Sequence, residues 1–157
     1  MVSKRWLDLL GLTFWVALTF GVAAFGSQFE PGDWYAHIAK PAWTPPGWVF
    51  GPVWGLLYLL MGVSAWLVWR QRFRTSVSLP LGFYIVQLAV NGLWSWIFFG
   101  SQRIGLALID LTVLVIVVAI TAAMFWRVNR RAGYMLLPYL LWISFAAVLN
   151  FQIWQMN

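Results

Sequence analysis

The residues of this chain that could do chemistry are few, and their types exclude most catalytic sites. Among 157 residues there is no cysteine and a single histidine, His37. Thiol nucleophiles, thiolate metal sites and multi-histidine metal sites are therefore excluded. No serine-hydrolase triad, close carboxylate pair or phosphate-binding glycine pattern is present. We expect no metal site and no required cofactor, so any chemistry would have to come from a bound ligand or from oxidisable tryptophan and tyrosine.

Three hydrophobic segments each carry a stripe of aromatic and polar residues at helical spacing. Residues three or four positions apart share one face of a helix. Indole and carboxamide N–H groups donate hydrogen bonds, and aromatic walls suit a flat apolar ligand. The stripes therefore predict a ligand pocket, although the polar groups could instead join helices to one another. The stripes are formed by Gln87, Asn91, Trp94 and Ser95, by Trp54 and Tyr58, and by Tyr139, Trp142, Ala146 and Asn150.

The elements that must position these residues are membrane-spanning helices. The chain is 62% hydrophobic and only 9% charged, whereas soluble domains carry roughly 25% charged residues. Its five long apolar segments each suffice for one membrane crossing, which takes about 20 residues. We predict an all-α membrane protein, a five-helix transmembrane bundle forming one domain over residues 1–157. The predicted helices are about 6–26, 47–69, 79–99, 104–126 and 134–154.

The distribution of basic residues predicts the orientation. Lys40 and Arg103 fall on one side of the predicted bundle, and the other eight of the 10 basic residues fall on the opposite side. By the positive-inside rule the basic side is cytoplasmic, with the N-terminus inside and the C-terminus outside. The chain contains no run of five basic residues, so its sequence does not indicate nucleic-acid binding. The eight basic residues are Lys4, Arg5, Arg70, Arg72, Arg74, Arg127, Arg130 and Arg131.

The segment Ser27–Gly47 is too long to be a simple connection between two spans. Unstructured loops of more than about 12–15 residues are usually functional or disordered, and this one is rich in aromatic residues and proline. We expect a lid over the pocket, with a plug that only closes the end of the bundle as the alternative. The stretch from Asp33 to Ile38 could form a short helix with Asp33 as its N-cap.

Asp110 is the only acidic residue in the interior of a predicted span, since Asp8 lies in the first turn of the first one. Three roles compete: a pair with Arg103, a hydrogen bond to a neighbouring helix, and a proton relay. Because no second acid, lysine or histidine lies at similar depth, we expect structural pairing. Arg103 precedes Asp110 by two helical turns, about 10 Å.

Small residues in the second span permit close helix packing. Gly51 and Gly55 form a Gly-x-x-x-Gly spacing, and Gly62 follows one heptad later. Such spacing allows helices to approach closely, either within a chain or between chains. The motif is common in membrane helices, so it does not identify a function.

The ordered set of motifs resembles the TspO/translocator protein family, also known as tryptophan-rich sensory proteins or peripheral-type benzodiazepine receptors. The resemblance extends over essentially the whole chain. The loop motif Lys40-Pro41-x-Trp43-x-Pro45-Pro46 is its most specific single part. The matching pieces are Trp34-Tyr35, that loop motif, Trp54 with Tyr58, Asn91-x-x-Trp94-Ser95, Asp110, Pro138-Tyr139-x-x-Trp142 and Leu149-Asn150.

The resemblance implies a function for the predicted pocket. Members are five-helix bundles, often homodimers, that bind porphyrins such as protoporphyrin IX and haem, and isoquinoline carboxamide or benzodiazepine drugs. Trp54 and Asn91 match groups that hold the carbonyl of such drugs, and Trp54 and Trp142 match tryptophans linked to light-dependent porphyrin breakdown. The expected ligand-binding residues are Tyr35, Trp54, Tyr58, Asn91, Trp94, Ser95, Trp142, Ala146 and Ala147.

One departure from the family pattern concerns cholesterol. The family motif has a tyrosine after Leu-Asn and a basic residue shortly beyond it, whereas here Phe151 follows Asn150 and no basic residue comes after it. Specific cholesterol binding is therefore doubtful, and a bacterial-type member in the cell's inner membrane is expected. Some bacterial members occur in the outer membrane, which is the alternative.

Four functions remain open at this point, one of which is a small helical assembly partner with an incidental cavity. Another is a receptor or sensor that binds tetrapyrroles, which we favour because the predicted pocket has no acid–base groups. The other two are a transporter of porphyrins or lipids and a light-dependent porphyrin-degrading enzyme using Trp54 and Trp142. A transporter is less expected because no inverted repeat is visible in the five spans.

Overall fold

The computed structural model describes residues 4–157, which form six α-helices, a π-helical turn and no β-strand. Five helices are long and apolar enough to cross a membrane, which confirms the predicted bundle. Their bounds are α1 Lys4–Gly26, α2 Asp33–His37, α3 Gly47–Trp69, α4 Ser78–Ser95, α5 Ile104–Val128 and α6 Arg130–Met156, with the π-helical turn Trp96–Gly100 extending α4.

The last helix begins four residues earlier than the sequence pattern predicts. The Asn129 side-chain oxygen accepts hydrogen bonds from the backbone N–H groups of Arg131 and Ala132. This N-cap satisfies N–H groups that have no partner within the helix. Since it allows α6 to follow α5 almost directly, the two helices form the most extensive packing interface in the bundle.

A continuous core joins the five long helices. α3 packs against α1 and α6, and α4 packs against α5 and α1. Tyr84, Tyr139 and Met61 are among the largest fully buried side chains. The Tyr84 hydroxyl shares a hydrogen bond with that of Thr19. Much of the remaining apolar surface is exposed along the bundle, as expected for helices that face lipid.

Only one of the three predicted close-packing glycines packs closely within the chain. A Cβ added to Gly62 would lie 2.8 Å from the Cα of Val16, so this glycine lets α3 approach α1. A Cβ added to Gly51 or Gly55 would meet no atom within 4 Å. These two glycines instead border an open space between the helices.

The expected pair between Asp110 and Arg103 is not formed. In residues 4–157 the single ion pair joins Arg70 and Asp8, with a separation of 3.2 Å. Arg103 is exposed, and it precedes the first residue of α5. The Asp110 Oδ2 atom is buried and has no hydrogen-bond partner among the described residues. Arg103 and Asp110 are thus at different depths, with the arginine at the end of the bundle.

The connection between α1 and α3 contains the predicted short helix, α2. Asp33 is its first residue, and the N-cap position is occupied by Gly32 without a side-chain hydrogen bond. The prediction of Asp33 as N-cap was therefore wrong by one residue. The Lys40 ammonium group donates hydrogen bonds to the backbone carbonyls of Tyr35 and Ile38, which stabilises the C-terminal end of this helix.

Candidate functional site

A cavity of about 880 Å³ lies between the long helices, at the end of the bundle that carries α2. Small-molecule sites are typically about 300–1,000 Å³ and are lined mainly by apolar side chains. Every long helix contributes to the cavity wall. The loop between α1 and α3 adds Ser27, Phe29, Glu30, Pro31, Tyr35, Lys40, Pro41, Thr44 and Pro45 to it.

Eight of the nine predicted ligand-binding residues line this one cavity. They come from the loop, α3, α4 and α6, so residues distant in sequence meet in one place. Ala147 packs against the main hydrophobic core instead and is not part of the wall. The eight are Tyr35, Trp54, Tyr58, Asn91, Trp94, Ser95, Trp142 and Ala146.

A chain of buried hydrogen bonds crosses the inner end of the cavity. The Tyr58 hydroxyl donates to Oδ1 of Asn91 over 2.6 Å, and Nδ2 of Asn91 donates to the Tyr139 hydroxyl over 3.0 Å. The Tyr139 hydroxyl donates in turn to Oε1 of Gln87. These bonds join α3, α4 and α6. The carboxamide of Asn91 still has its second N–H, because a primary amide carries two donors.

The tryptophans of the cavity differ in how their N–H groups are used. The indole of Trp54 stacks on Tyr58 with ring centroids 5.3 Å apart. The Trp94 N–H donates to Oδ1 of Asn150, whose Nδ2 donates to the carbonyl of Ile104. By contrast, the buried N–H of Trp142 has no hydrogen-bond partner in the described part of the chain. The Trp142 side chain lines the apolar cavity, and its buried N–H is an unused donor.

The loop contributes an aromatic and charged border to the cavity. The Lys40 ammonium group lies 4.7 Å from the centre of the Tyr35 ring, within cation–π range. The Tyr35 ring also contacts Phe98 and Phe99 edge to face. Partial burial raises the pKa of the Tyr35 hydroxyl above its usual value, so it is a neutral donor at physiological pH.

The loop is attached to the end of α6 by a pair of hydrogen bonds. Oδ1 of Asn157 accepts from the backbone N–H of Ala39, and Nδ2 of Asn157 donates to the Ala39 carbonyl, both over 3.0 Å. A single side chain thus satisfies both backbone groups of Ala39. This contact links the residue before Lys40 to the last helix.

Sequence reasoning missed several aromatic residues of the wall. Phe50 lies four residues before Trp54, and its ring packs against Trp142. Phe98 and Phe99 follow Ser95 by three and four residues, and both line the cavity. Their helical spacing from predicted site residues could have revealed them. In a chain with 12 phenylalanines, however, spacing alone does not separate cavity walls from surfaces facing lipid.

The described residues contain no group of three or more histidine, cysteine, aspartate or glutamate side chains that could hold a metal ion. The polar groups of the cavity are instead phenols, indoles, carboxamides, the hydroxyls of Ser27, Thr44 and Ser95, one ammonium group and one carboxylate. Such groups bind and orient an organic ligand.

The fold and its cavity define a class: a multi-pass α-helical membrane protein with a large aromatic cavity between its helices. Within that class the chain belongs to the TspO/MBR family, whose family model matches residues 13–155. This finding confirms the family resemblance seen in the sequence motifs.

Relatives across wide evolutionary distances are similar over nearly the full length. The human translocator protein is 41% identical, and the match covers 99% of this chain and 94% of the relative. The tryptophan-rich protein TspO of Chlorobaculum tepidum is 37% identical, with 96% and 98% covered. The protein CrtK of Rhodobacter capsulatus is 41% identical over 85% of this chain and 84% of the relative.

Proposed function

We propose that this protein is a membrane receptor or sensor that binds tetrapyrroles, such as protoporphyrin IX or haem, in the aromatic cavity. The observation that carries the proposal is the cavity itself, with a volume of about 880 Å³ and walls that are mainly aromatic and apolar. A planar macrocycle buries its two faces best against such rings. The name of the C. tepidum relative, a tryptophan-rich protein, fits the same composition.

The polar groups of the cavity suit the edges of such a ligand. The second N–H of Asn91 is a donor for a carbonyl or carboxylate, and the buried, unpartnered N–H of Trp142 becomes one when its ring turns towards the ligand. Lys40 borders the cavity from the loop and is a counter-charge for a carboxylate side chain of a porphyrin. The same donors would hold the carbonyl of a benzodiazepine-site drug, so we expect these drugs to compete with porphyrin.

The loop between α1 and α3 acts as a lid in this proposal. It supplies one side of the cavity border, and its attachment to α6 through Asn157 keeps Ala39 and Lys40 over the bundle end. Release of that attachment would open the cavity towards water. Ligand exchange would then depend on the stability of the loop rather than on movement of the long helices.

The direct experiment is a titration of the purified, detergent-solubilised protein with protoporphyrin IX in the dark. Tryptophan fluorescence and the porphyrin absorption spectrum are both recorded. We expect saturable quenching, with affinity lowered about tenfold in Trp142→Phe and in Asn91→Ala, since each substitution removes one hydrogen-bond donor, worth about 1.5 kcal/mol when its partner is charged.

Trp48→Phe is the matched control. Trp48 is 77% exposed and does not line the cavity, so its loss removes one fluorophore without touching the site. Equal affinities in all three variants would contradict binding at this cavity. Quenching that never saturates in the unmodified protein would contradict tetrapyrrole binding altogether.

One observation favours a second candidate function, light-dependent porphyrin degradation. Both Trp54 and Trp142 line the same cavity, so a bound porphyrin would contact two oxidisable indoles. If this reaction occurs, illumination of the complex will bleach the porphyrin absorption, and Trp142→Phe will slow the bleaching. Equal bleaching rates in the variant and the unmodified protein would exclude a role for Trp142. A porphyrin absorption spectrum that stays unchanged under light would show that the protein binds the porphyrin but does not degrade it.

We also propose the inner membrane of a bacterium as the location, with the N-terminus in the cytoplasm and the C-terminus outside. The support is the concentration of eight of the 10 basic residues at one end of the bundle. We also propose that the protein assembles as a homodimer. Crosslinking in native membranes followed by size analysis tests the dimer, and an exclusively monomeric product would contradict it.

A further inference from the structure

A second recess lies at the end of the bundle far from the aromatic cavity. It has a volume of about 350 Å³ and is formed where the end of α3 meets the start of α6. Three arginines border it, Arg70, Arg130 and Arg131, together with two uncharged polar residues and one apolar residue. The uncharged residues are Gln71, Asn129 and Leu67.

The recess carries an excess of positive charge. Arg70 is paired with Asp8 and lies over the ring of Trp66, so it already has a counter-ion. Neither Arg130 nor Arg131 forms an ion pair with any residue in the range 4–157. Of the other acidic residues, Glu30 and Asp33 follow α1 at the opposite end of the bundle, and Asp110 lies within α5. None of the three borders the recess. Two guanidinium groups therefore lack a counter-ion.

The charge belongs to the arginine side chains and not to the end of the helix. The Asn129 carboxamide already accepts hydrogen bonds from the first turn of α6. Guanidinium groups present forked pairs of N–H donors that match the oxygens of a phosphate. Two such groups beside one recess favour a phosphate ligand over a monovalent halide.

The position of the recess indicates which kind of molecule carries that phosphate. α3 ends at Trp69 and α6 begins at Arg130, so the recess lies at the end of two membrane-spanning helices. Leu67, in the last turn of α3, is the one apolar residue that borders the recess, and it precedes Arg70 by three positions towards the membrane interior. A free anion would use the arginines alone, whereas a phospholipid would place its headgroup there and its acyl chain along the apolar surface beneath.

We propose that this recess binds the phosphate of an anionic phospholipid headgroup, separately from the aromatic cavity. The lipid would neutralise Arg130 and Arg131 and hold the ends of α3 and α6 together. The site would make the protein sensitive to the anionic lipid content of the membrane leaflet that faces its basic end.

Native mass spectrometry of the detergent-solubilised protein tests the proposal, with phosphatidylglycerol, phosphatidylcholine and inorganic phosphate added separately. We expect one tightly bound phosphatidylglycerol and no comparable retention of phosphatidylcholine. The double variant Arg130→Gln/Arg131→Gln should bind phosphatidylglycerol roughly 30-fold more weakly, because each basic residue near an anionic lipid contributes about 1 kcal/mol.

The matched control is Arg74→Gln/Arg127→Gln, which removes the same charge from the same end of the bundle but not from the recess. We expect its affinity to equal that of the unmodified protein. An equal loss in both double variants would overturn the proposal, because diffuse charge would then explain binding. Retention of phosphatidylcholine to the same extent, or saturation by inorganic phosphate without any lipid preference, would overturn it as well.

Circular dichroism of each variant checks that the helices remain folded. If the recess double variant loses helicity, the single variants Arg130→Gln and Arg131→Gln replace it, each with an expected loss of about fivefold. Single variants that bind phosphatidylglycerol as tightly as the unmodified protein would also overturn the proposal.

Discussion

At the scale of single residues, Asn91 is a buried polar side chain whose carboxamide must be hydrogen-bonded. Its carboxamide accepts from Tyr58 on α3 and donates to Tyr139 on α6. A buried polar group is costly unless it is hydrogen-bonded, and this arrangement satisfies it with partners from two other helices. The sequence predicted two competing roles for such residues, ligand contact and interhelical bonding. The structure shows the interhelical bonds and also places Asn91 in the cavity wall, where ligand contact stays a prediction.

The Tyr139 hydroxyl gives a residue-scale prediction about stability. It accepts from Asn91 and donates to Gln87, whose Nε2 already has no partner among the described residues. Tyr139→Phe would leave Gln87 without any side-chain hydrogen bond. We expect a loss of roughly 1–3 kcal/mol in the free energy of unfolding, measured by equilibrium denaturation in mixed micelles.

Tyr134→Phe serves as the control for that measurement. Tyr134 is on the same helix and is 55% exposed, so removing its hydroxyl should change the unfolding free energy little. A similar cost for both substitutions would show that the buried chain of hydrogen bonds contributes no particular stability.

At the scale of elements, the contact between α1 and α3 depends on Gly62. A Cβ there would lie 2.8 Å from the backbone of Val16, and backbone cannot move aside as cheaply as a flexible side chain. α1 is also the span with the smallest buried share. α1 packs against α3 more extensively than against any other helix, so its place in the bundle depends mainly on this interface.

We expect Gly62→Ala to destabilise the bundle by about 1–3 kcal/mol, as overpacking does in well-packed cores. Gly55→Ala is the matched control on the same helix, because its added methyl group meets no atom within 4 Å. The test is to measure the free energy of unfolding of both variants. If Gly62→Ala is as stable as the control, α1 adjusts freely against α3 and the close packing is not required.

The loop between α1 and α3 gives a second prediction at this scale. Asn157 holds both backbone groups of Ala39, so Asn157→Ala should increase the rate of hydrogen exchange at the Ala39 amide several-fold. Of the two exposed hydrogen bonds, the one that holds the Ala39 N–H is worth about 0.5–1.5 kcal/mol. The neighbouring substitution Gln155→Ala should leave that rate unchanged. Exchange that is equally fast before and after Asn157→Ala would mean that the loop is not held by this contact.

At the scale of the whole molecule, charge is strongly asymmetric along the bundle. Eight basic residues lie at the end with Asp8 and Arg70, and two at the end that carries the aromatic cavity. This asymmetry predicts that the aromatic cavity opens away from the cytoplasm, while the arginine recess faces the cytoplasmic leaflet.

The absence of cysteine allows a clean test of this orientation. Ser76→Cys lies in the exposed connection between α3 and α4, and Ala42→Cys lies in the exposed loop between α1 and α3. In intact cells a membrane-impermeant maleimide should label Ala42→Cys and not Ser76→Cys until the membrane is permeabilised. The reverse pattern would show that the bundle is inserted the other way.

The sequence by itself determined the class, the spans and most of the candidate site. Long apolar segments can bury their backbone polar groups in lipid only as helices, so the five spans followed from composition. Helical periodicity assigned Trp54, Asn91 and Trp142 to specific faces. The family followed from motifs distributed along the chain. None of this required knowledge of how the helices pack.

Tertiary structure alone decided which faces meet. Periodicity predicts the face of the helix on which a side chain lies, but it does not predict which helices pack together or how far apart they are. For that reason the spacing of Gly51 and Gly55 left open whether they pack within the chain, where they border a cavity instead, and Asp110 was expected to pair with Arg103 and does not. For the same reason the arginine recess could not be foreseen, since Arg70 and Arg130 are 60 positions apart and become neighbours only when α3 packs against α6.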